Sequence, residues 1–489
     1  MTEGQRARLL ADMLERQSQL DRDPHRPQYH LLPPANWAND PNGTIQHGGE
    51  YHVFYQHNPF EPWWGAMHWG HVVSRDLVHW EHLPIALVPG PEAYDKDGIW
   101  SGCAVVHEGA PSILYTGVQP EVQCLATSDD NMRTWRKHPW NPIIGQRPPR
   151  LSLTGFRDPF AWREGEEWYL VIGSGICDVG GAALLYRSSD LRAWEYLHPL
   201  HVSSVAETGK MWECPNFFSV GGKHLLAVST LGKVVCFLGE YSELRFMPER
   251  QSDMDLGNCF YASNCLLDDK GRRIMWGWAP EKYDVEAKKA SGWAGVLTLP
   301  REVFLHPDDT LGIRPVPELR VLRGRHWHFA NLCLSGYSVE VLPDVAGDQL
   351  EIAAELQADG DAQCGLSVRR TLPMASRSAR AGEETLIVWN VAENTLCVDA
   401  NRSSLDPKAA KFVVGGSIGA HGAGLLQLRV FLDRSIVEVF ANERAVLTTR
   451  VYPACRNSLS VALLARGGRL RVRALDVWEM KSIRGEQCL

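Results

Sequence analysis

The stretch Ser74–Trp80, with the sequence SRDLVHW, decides the fold because it recurs along the chain. It returns as Ser188–Trp194 (SSDLRAW), and a looser copy stands at Ser128–Trp135 (SDDNMRTW). Leu244–Phe246 reads as a degraded fourth copy, so the closing aromatic residues are 55, 59 and 52 residues apart. A period of this size holds about four strands, the size of a β-propeller blade. We therefore predict a five-bladed β-propeller over residues 29–318.

Outside the repeat, the chain also reads as all-β. Helical periodicity is confined to the N-terminal extension, residues 1–28, where Leu9, Leu10, Met13 and Leu14 fit one face of a short helix. After about residue 318 the repeat stops and strict alternation begins: Leu426, Leu428 and Val430 alternate with polar residues. Half-buried antiparallel strands show this pattern. We predict a linker at 319–329 and a C-terminal β-sandwich at 330–489.

The bulk properties exclude several classes of protein. A net charge of −8 without a long basic run argues against a nucleic-acid partner. No window is apolar for the roughly 18 residues that a membrane span needs. The 12 cysteines are scattered without a CxxC pair or zinc-site spacing, which favours buried free thiols. With no secretory signal pattern at Met1–Arg6, we expect a cytoplasmic protein; a signal removed from the chain would look the same.

Three short stretches place an acid beside a proline-containing corner in a strand-like, aromatic setting. They are Trp37–Gly43 (WANDPNG) around Asp40, Phe156–Phe160 (FRDPF) around Asp158, and Met211–Asn216 (MWECPN) around Glu213. Any one of them alone could be an ordinary turn, as for Asp40. Asp158 could also form a surface ion pair with Arg157. A propeller, however, aims the inner strand of each blade at one axis. The three acids can therefore meet in one pocket.

Carboxylates that meet in an open pocket favour glycoside hydrolysis, which needs one ionised and one protonated acid at the same pH. Asn39, Asn42 and the amides of a glycine corner surround Asp40 and would keep it anionic, as a nucleophile. For Glu213, between Trp212 and Cys214, desolvation and the two nearby anions would favour the protonated form, as a general acid that later acts as base. Asp158, beside Arg157, would stay charged and hold sugar hydroxyls. This chemistry needs no metal or organic cofactor, and the sequence indicates no site for one.

With these three motifs in order, the chain resembles glycoside hydrolase family 32, which contains invertases, fructanases and sucrose-6-phosphate hydrolases. The resemblance runs from about residue 27 to 480. Further family-like stretches are Phe54–Phe60, His68–His71, Trp100–Gly102, Phe260–Ala262, Gly292–Gly295 and, in the predicted sandwich, Phe431–Phe440. The resemblance implies a propeller joined to a sandwich and cleavage of β-fructofuranosides with retention. It assigns Asp40 as nucleophile, Asp158 as transition-state stabiliser and Glu213 as acid/base.

The resemblance also implies a set of fructose-binding side chains, which are Asn39, Gln56, Trp64, Trp100, Ser101, Arg157, Tyr261 and Trp293. Blade packing is the competing interpretation for Trp64 and Trp293, and a structural role for Tyr261. Two residues depart from the family pattern. Cys103 replaces a common serine, which should affect packing only. Cys259 stands where bacterial relatives often carry an aspartate that contacts the sugar beyond fructose, and Asp255 could compensate for its loss.

The leading hypothesis is a retaining β-fructofuranosidase acting on sucrose and short fructooligosaccharides. Within enzymes, a fructan hydrolase, a fructosyltransferase or a sucrose-6-phosphate hydrolase are the alternatives, and no lysine or arginine cluster indicates a phosphate site. A different class, a non-catalytic carbohydrate-binding propeller, would be favoured by loss of one of the three acids. The sequence leaves the oligomeric state open, with a homodimer as one alternative. The N-terminal helix would dock on the sandwich or on a partner chain.

Overall fold

The computed structural model describes residues 1–91, 94–372, 382–419 and 424–484, and it consists almost wholly of β-strands. Five sheets form a propeller and two further sheets form a sandwich, which confirms the predicted fold class. The helices are α1 Glu3–Leu20, α2 Val205–Thr208, α3 Val285–Ser291 and the 3-10 helix Pro317–Leu322. None of the helices in the described ranges is long and apolar enough to cross a membrane.

Each propeller blade is an antiparallel sheet of four consecutive main strands, innermost first. The strands are β1 Asn36–His47, β2 Glu50–Asn58, β3 His68–Ser74 and β4 Glu81–Leu87 in blade 1; β5 Gly98–His107, β6 Ala110–Val118, β7 Val122–Thr127 and β8 Arg136–Lys137 in blade 2; β9 Leu153–Glu164, β10 Glu167–Ile176, β11 Gly180–Ser188 and β12 Glu195–Val202 in blade 3; β13 Glu213–Val220, β14 Lys223–Ser229, β15 Val234–Ser242 and β16 Arg245–Asp253 in blade 4; β17 Tyr261–Leu267, β18 Arg273–Ala279, β21 Arg301–Leu305 and β22 Leu311–Pro315 in blade 5.

Two short strands connect blade 5 to its surroundings. β20 Val296–Leu297 pairs with β18, and β19 Trp293–Ala294 pairs in parallel with β1 of blade 1. Asn36 lies opposite Trp293 and Trp37 opposite Ala294. The last blade therefore closes the ring on the strand that carries Asp40.

The second strands of the blades supply the core of the propeller. Residues at their centres have no exposed surface and belong to one apolar cluster; they are Val53, Leu114, Leu170, Leu226 and Ile274. Burying each aliphatic side chain of this size contributes about 1.5–3 kcal/mol. The buried second strands therefore support the inner strands on one side, and the opposite edges of the inner strands face the propeller axis.

The repeated Ser-x-Asp motif makes the turn between the third and fourth strand of a blade. In blade 1, Asp76 Oδ1 accepts hydrogen bonds from the backbone N–H groups of Val78 and His79 at 3.0 and 2.8 Å. Asp190 makes the same two bonds in blade 3, at 2.9 Å each. A short aspartate side chain that bonds backbone two or three residues ahead is typical of such turns. The predicted fourth copy begins between β15 and β16 at Leu244 and ends within β16.

The inner strands are irregular near their beginnings, where the pairing register with the second strand shifts. The shifts occur at Ala38/Pro41, Trp100/Gly102, Arg157/Phe160, Glu213/Asn216 and Tyr261/Asn264. Asp158, Cys214 and Ala262 have φ of 63°, 46° and 49° there, in the left-handed region. Such a conformation costs a residue with a side chain about 1–2 kcal/mol. Bulges of this kind re-aim side chains.

The sandwich consists of two six-stranded sheets. One contains β23 Arg323–Ser335, β25 Gln349–Asp359, β30 Leu425–Asp433, β31 Ile436–Ala441, β32 Ala445–Arg450 and β34 Arg469–Met480; the other contains β24 Ser338–Ala346, β26 Gln363–Thr371, β27 Thr385–Asn390, β28 Thr395–Asp399, β29 Val413–Ser417 and β33 Ser458–Arg466. As predicted, Leu426, Leu428 and Val430 face the core and Gln427 faces solvent. The predicted linker 319–329 is occupied by the 3-10 helix and the start of β23, because β23 already pairs with β34 from Arg323.

Helix α1 packs on the propeller rather than on the sandwich. Its Arg6 Nη1 donates to the backbone carbonyls of Ile85 and Ala86 in β4, at 3.1 and 2.9 Å. Met13 is buried, whereas Leu14, which was predicted on the same face, is 40% exposed. The segment after the helix, residues 21–30, makes the contacts with the sandwich that were expected of the helix itself.

Buried charges join the two domains. Arg301 of the propeller is 1% exposed and pairs with Asp255 at 2.8 Å and with Glu438 of the sandwich at 3.0 Å. His30, also fully buried, lies between Asp433 at 2.8 Å and Glu438 at 3.3 Å. Removing one partner of a buried ion pair costs about 3–5 kcal/mol. The predicted motif Phe431–Phe440 therefore belongs to the domain junction.

Candidate active site

A pocket of about 210 Å³ opens on the propeller axis, at the ends of the inner strands where the register shifts. Every blade contributes to its lining. The lining residues are Asn39, Asp40 and Gln56 of blade 1, Trp64 of the following loop, Trp100 and Ser101 of blade 2, Arg157 and Asp158 of blade 3, Glu213 of blade 4, and Tyr261 and Trp278 of blade 5. The volume suits one small polar ligand rather than a drug-sized one.

Asp40 is half-buried and held by neighbouring donors. Ser101 Oγ donates to its Oδ2 at 2.6 Å, and Asn39 Nδ2 donates to its Oδ1 at 2.9 Å. Burial nevertheless raises the pKa of Asp40 to about 6, and the Glu213 charge adds to this rise, whereas the Ser101 and Asn39 bonds lower it. The local donors thus oppose the rise in pKa that burial causes, and with a pKa of about 6 Asp40 is mostly ionised at pH 7.

Asp158 is the more deeply buried carboxyl, with 6% of its surface exposed. The backbone N–H of Cys214 donates to its Oδ2 at 3.0 Å. Burial raises its pKa to about 7, against the opposing charge of Arg157, and the nearby Glu213 and Asp40 raise it further. Arg157 was expected to keep Asp158 charged, but the guanidinium hydrogen-bonds to other carboxylates. Asp158 thus exchanges a proton near neutral pH, while its strained backbone turns it toward the pocket.

Glu213 is bound by two polar groups that are distant in sequence. Arg157 donates to its Oε1 through Nε at 3.1 Å and Nη2 at 2.7 Å, and the Tyr261 hydroxyl donates to its Oε2 at 2.5 Å. Of the two sequence neighbours expected to desolvate Glu213, Cys214 faces Asp40 and Asp158 instead. Trp212 is fully buried against Phe237. Glu213 therefore sits in a polar, hydrogen-bonded environment.

The thiol of Cys214 links the other two acids. Its Sγ lies 3.5 Å from Asp40 Oδ2 and 3.6 Å from Asp158 Oδ2, as a donor to either. Burial, and then the charges of Asp158 and Asp40, raise the pKa of Cys214 well above the usual range. The group is therefore a neutral donor here rather than a thiolate.

Two residues of the pocket lining, the predicted Gln56 and also Trp278, leave polar atoms unpartnered. Gln56 Nε2 donates to Ser101 Oγ at 3.2 Å, but Gln56 Oε1 is buried without a hydrogen-bond partner in the described ranges. Trp278 Nε1 is likewise buried and unpartnered there. Trp64 is 54% exposed at the mouth and meets Trp100 edge to face, with ring centroids 6.2 Å apart. An acceptor and a donor left open beside indole faces suit a sugar ring.

Two sequence expectations fail at the pocket. Trp293 does not line it, because its side chain is fully buried and its Nε1 donates to Asp23 at 2.8 Å. Trp278 of β18 lines it instead, and it is absent from the predicted set of fructose-binding side chains. The hairpin register, which places Trp278 opposite Tyr261, was the signal that could have identified it.

The residues that depart from the family pattern lie outside the pocket. Cys259 is fully buried in an apolar cluster with Trp293 and Ile436. Asp255 does not compensate for it at the pocket, because its carboxylate pairs with Arg301 in the domain junction. Cys103 is buried where the Ala161 N–H meets its Sγ at 3.2 Å, which agrees with a role in packing. Eleven cysteines in the described ranges are unpaired; Cys488 lies outside those ranges.

Comparison with known proteins gives the family to which this architecture corresponds. The Glycosyl hydrolases family 32 N-terminal domain profile matches residues 30–315, and the Glycosyl hydrolases family 32 C terminal profile matches residues 324–479. A sucrose-6-phosphate hydrolase of Zymomonas mobilis is 33% identical, over 93% of this chain and 92% of that protein. A raffinose invertase of Escherichia coli is 35% identical, over 95% and 97%.

A solved structure shares the whole architecture. Fructan 1-exohydrolase IIa from Cichorium intybus superimposes with a TM-score of 0.85 and 28% identity, covering 94% of this chain and 98% of that one. The similarity in sequence and in structure thus extends over the propeller and the sandwich.

Proposed function

Because the chain belongs to glycoside hydrolase family 32, we propose that it is a retaining β-fructofuranosidase that hydrolyses sucrose and short fructooligosaccharides. One observation carries the proposal: Asp40, Asp158 and Glu213 line a single sugar-sized pocket. Their surroundings differ: Ser101 hydrogen-bonds to the nucleophile Asp40, whereas Arg157 and Tyr261 hydrogen-bond to the acid Glu213. Different environments for neighbouring carboxyl groups support different roles.

In the first step, the Asp40 carboxylate attacks the anomeric C2 of the fructofuranosyl unit. The bond from C2 to the glycosidic oxygen breaks, and Glu213 gives its proton to that oxygen, so the glucose unit leaves as an alcohol. The product is a covalent fructosyl ester on Asp40. Asp158 and the open Gln56 Oε1 accept hydrogen bonds from sugar hydroxyls as positive charge develops on the ring.

In the second step, water takes the place of the glucose unit. Glu213, now ionised, removes a proton from the water while the oxygen attacks C2 and the ester bond to Asp40 breaks. Fructose leaves with its original anomeric configuration, and both acids return to their starting states. Two inversions at C2 produce net retention.

The pocket favours a neutral substrate over a phosphorylated one. Arg157 is the one cation among its lining residues in the described ranges, and it is already paired with Glu121 and Glu213 at 2.7 Å each. A sucrose 6-phosphate hydrolase is the second candidate, supported by the Zymomonas mobilis relative and by Lys288. The Lys288 ammonium lies 5.3 Å from the ring of Trp37, which packs with the pocket residues Trp100 and Trp278, and it makes no ion pair within the described residues.

The proposal is tested by sugar release from purified wild-type, Asp40→Asn and Asp129→Asn proteins. Each receives sucrose, sucrose 6-phosphate, 1-kestose, inulin and levan, and products are separated by anion-exchange chromatography. The proposal is supported if wild type releases equal amounts of glucose and fructose from sucrose, if Asp40→Asn loses this activity and if Asp129→Asn keeps it. Asp129→Asn is the control because the Asp129 side chain is 66% exposed. Excess glucose would mean fructosyl transfer. Binding of sugar without cleavage by the wild type would reject catalysis in favour of a carbohydrate-binding protein.

Lys288→Ala decides between the two substrates. We expect it to leave sucrose hydrolysis unchanged in either case. If sucrose 6-phosphate is the substrate, this variant raises KM for the phosphorylated sugar only. Lys289→Ala is the matched control, because Lys289 already pairs with Glu286 at 2.9 Å on the same short helix.

A further inference from the structure

Within the part of the chain that the structure describes, Arg157 is the one pocket-lining residue to which Glu121 is hydrogen-bonded. Glu121 precedes β7 in blade 2, and its Oε1 accepts from Arg157 Nη1 at 2.7 Å. Its Oε2 accepts from the backbone N–H of Phe156 at 2.6 Å and from Arg147 Nη2 at 3.1 Å. Glu121 is thus bonded both to the Arg157 guanidinium and to the backbone next to Arg157.

Arg157 is shared between two carboxylates that belong to different blades. One edge of its guanidinium faces Glu121, and Nε and Nη2 face Glu213 Oε1. Its side chain is only 15% exposed, so solvent screens these charges less than at the surface. The electrostatic effect of Arg157 on Glu213 therefore depends on how much of the Arg157 charge Glu121 neutralises.

We propose that Glu121 is a positioning residue for the acid/base Glu213, acting through Arg157 by fixing the guanidinium and by balancing part of its charge. The inference rests on the proposed fructosidase function. The ion pairs form one row, Arg147–Glu121–Arg157–Glu213, that ends in the pocket. Arg147 is 43% exposed, so the row begins in solvent.

The row predicts opposite effects for substitutions of the two members farthest from the pocket, Glu121 and Arg147. Glu121→Gln keeps an oxygen for the Phe156 N–H but removes the negative charge, so Arg157 acts on Glu213 undivided. With the Arg157 charge acting undivided on the acid/base carboxyl, the alkaline limb of the pH–rate profile moves to lower pH. Arg147→Gln instead leaves the Glu121 charge wholly to Arg157 and moves that limb to higher pH. The other charged or titratable groups that face Glu213, identical in both variants, are Asp40, Asp158, Cys214 and Tyr261.

The experiment compares pH profiles of kcat/KM for wild type, Glu121→Gln and Arg147→Gln on two substrates. Sucrose needs a proton for its leaving group, whereas 4-nitrophenyl β-D-fructofuranoside leaves as a stabilised phenolate. At pH 7 we expect Glu121→Gln to lose about ten- to a hundredfold on sucrose, the range that small misplacements produce. The loss on the aryl fructoside should be much smaller. Glu195→Gln is the control, because Glu195 forms a surface pair with Arg187 far from the pocket.

The outcomes separate this inference from the proposed function. Limbs that shift in opposite directions, with a selective loss on sucrose, support the role of Glu121. Equal losses on both substrates without a shift would show a merely structural role and overturn it, as would shifts of the same sign. If Glu121→Gln does not fold, the exposed Arg147→Gln still decides by the sign of its shift. A wild type that cleaves neither substrate refutes the fructosidase proposal itself.

Discussion

Replacing Asp158 by asparagine is expected to stabilise the protein at alkaline pH while it destroys activity. Asparagine is nearly the same size and keeps an oxygen for the Cys214 N–H that now bonds the carboxylate at 3.0 Å. It cannot ionise, however. The variant therefore removes a buried charge without removing its main hydrogen bond. Activity should fall at least about a hundredfold, as when other electrostatic contacts to a transition state are removed.

The size of the stabilisation follows from the pKa of Asp158, which burial raises from 3.8 to about 7. Below pH 3.8 the carboxyl is protonated in both the folded and the unfolded state, so its ionisation does not change the free energy of unfolding. As pH rises, the unfolded chain ionises first, and above pH 7 the full cost of the buried charge is about 4 kcal/mol. For a chain of 489 residues the unfolding entropy is about 1 kcal/mol per kelvin. Asp158→Asn should thus raise Tm by about 4 °C at pH 8.

Differential scanning calorimetry of wild type and Asp158→Asn at fixed scan rate, in steps from pH 4 to pH 8.5, measures this directly. The difference in Tm should be near zero at pH 4 and grow until about pH 7. Asp129→Asn, at an exposed position, should show no such trend. A gain that is the same at pH 4 and pH 8, or a lower Tm at pH 8, would refute the argument that Asp158 carries a buried charge.

Three further predictions concern the pocket and the domain junction. Because burial raises the pKa of Asp40 to about 6, kcat/KM for sucrose should fall towards tenfold per pH unit below pH 6; a flat profile down to pH 4.5 would contradict this. Burial lowers the pKa of His30, but its bonds to Asp433 and Glu438 outweigh this and raise it above 6.5, so its stabilisation is complete below pH 6.5 and is lost as pH rises through the folded-state pKa. The Tm deficit of His30→Gln should accordingly be larger at pH 6 than at pH 9, and equal deficits would speak against a charged histidine. Trp278→Phe should raise KM about fivefold by removing one hydrogen bond to the sugar, whereas Trp293→Phe should lower Tm and leave KM unchanged; the reverse pattern would exchange their roles.

The architecture was predictable because the same residue types form the same turn in different blades. Asp76 and Asp190 bond the same backbone groups of the same turn, so the repeat is visible in the sequence. The alternation around Leu428 is equally local, since it follows from the two faces of a strand. The three acidic motifs were recognisable for a related reason: each stands at the irregular start of an inner strand.

What could not be predicted is which residues meet across blades. The neighbours of Glu213 in sequence say little about its environment, because successive side chains of a strand point to opposite faces. Its actual partners, Arg157 and Tyr261, come from two other blades. The same reasoning applies to the tryptophans. Trp278 reaches the pocket and Trp293 does not because of hairpin register and ring closure, which composition does not encode.

The parallel pairing of β1 with β19 has a consequence for the order in which the enzyme is made. The strand that carries Asp40 is the first strand to be synthesised, yet its neighbour on the axis side, Trp293–Ala294, comes from the last blade. Until that segment has been synthesised, one edge of β1 has no backbone partner. A nascent chain therefore carries all three acids well before it can hold them in place.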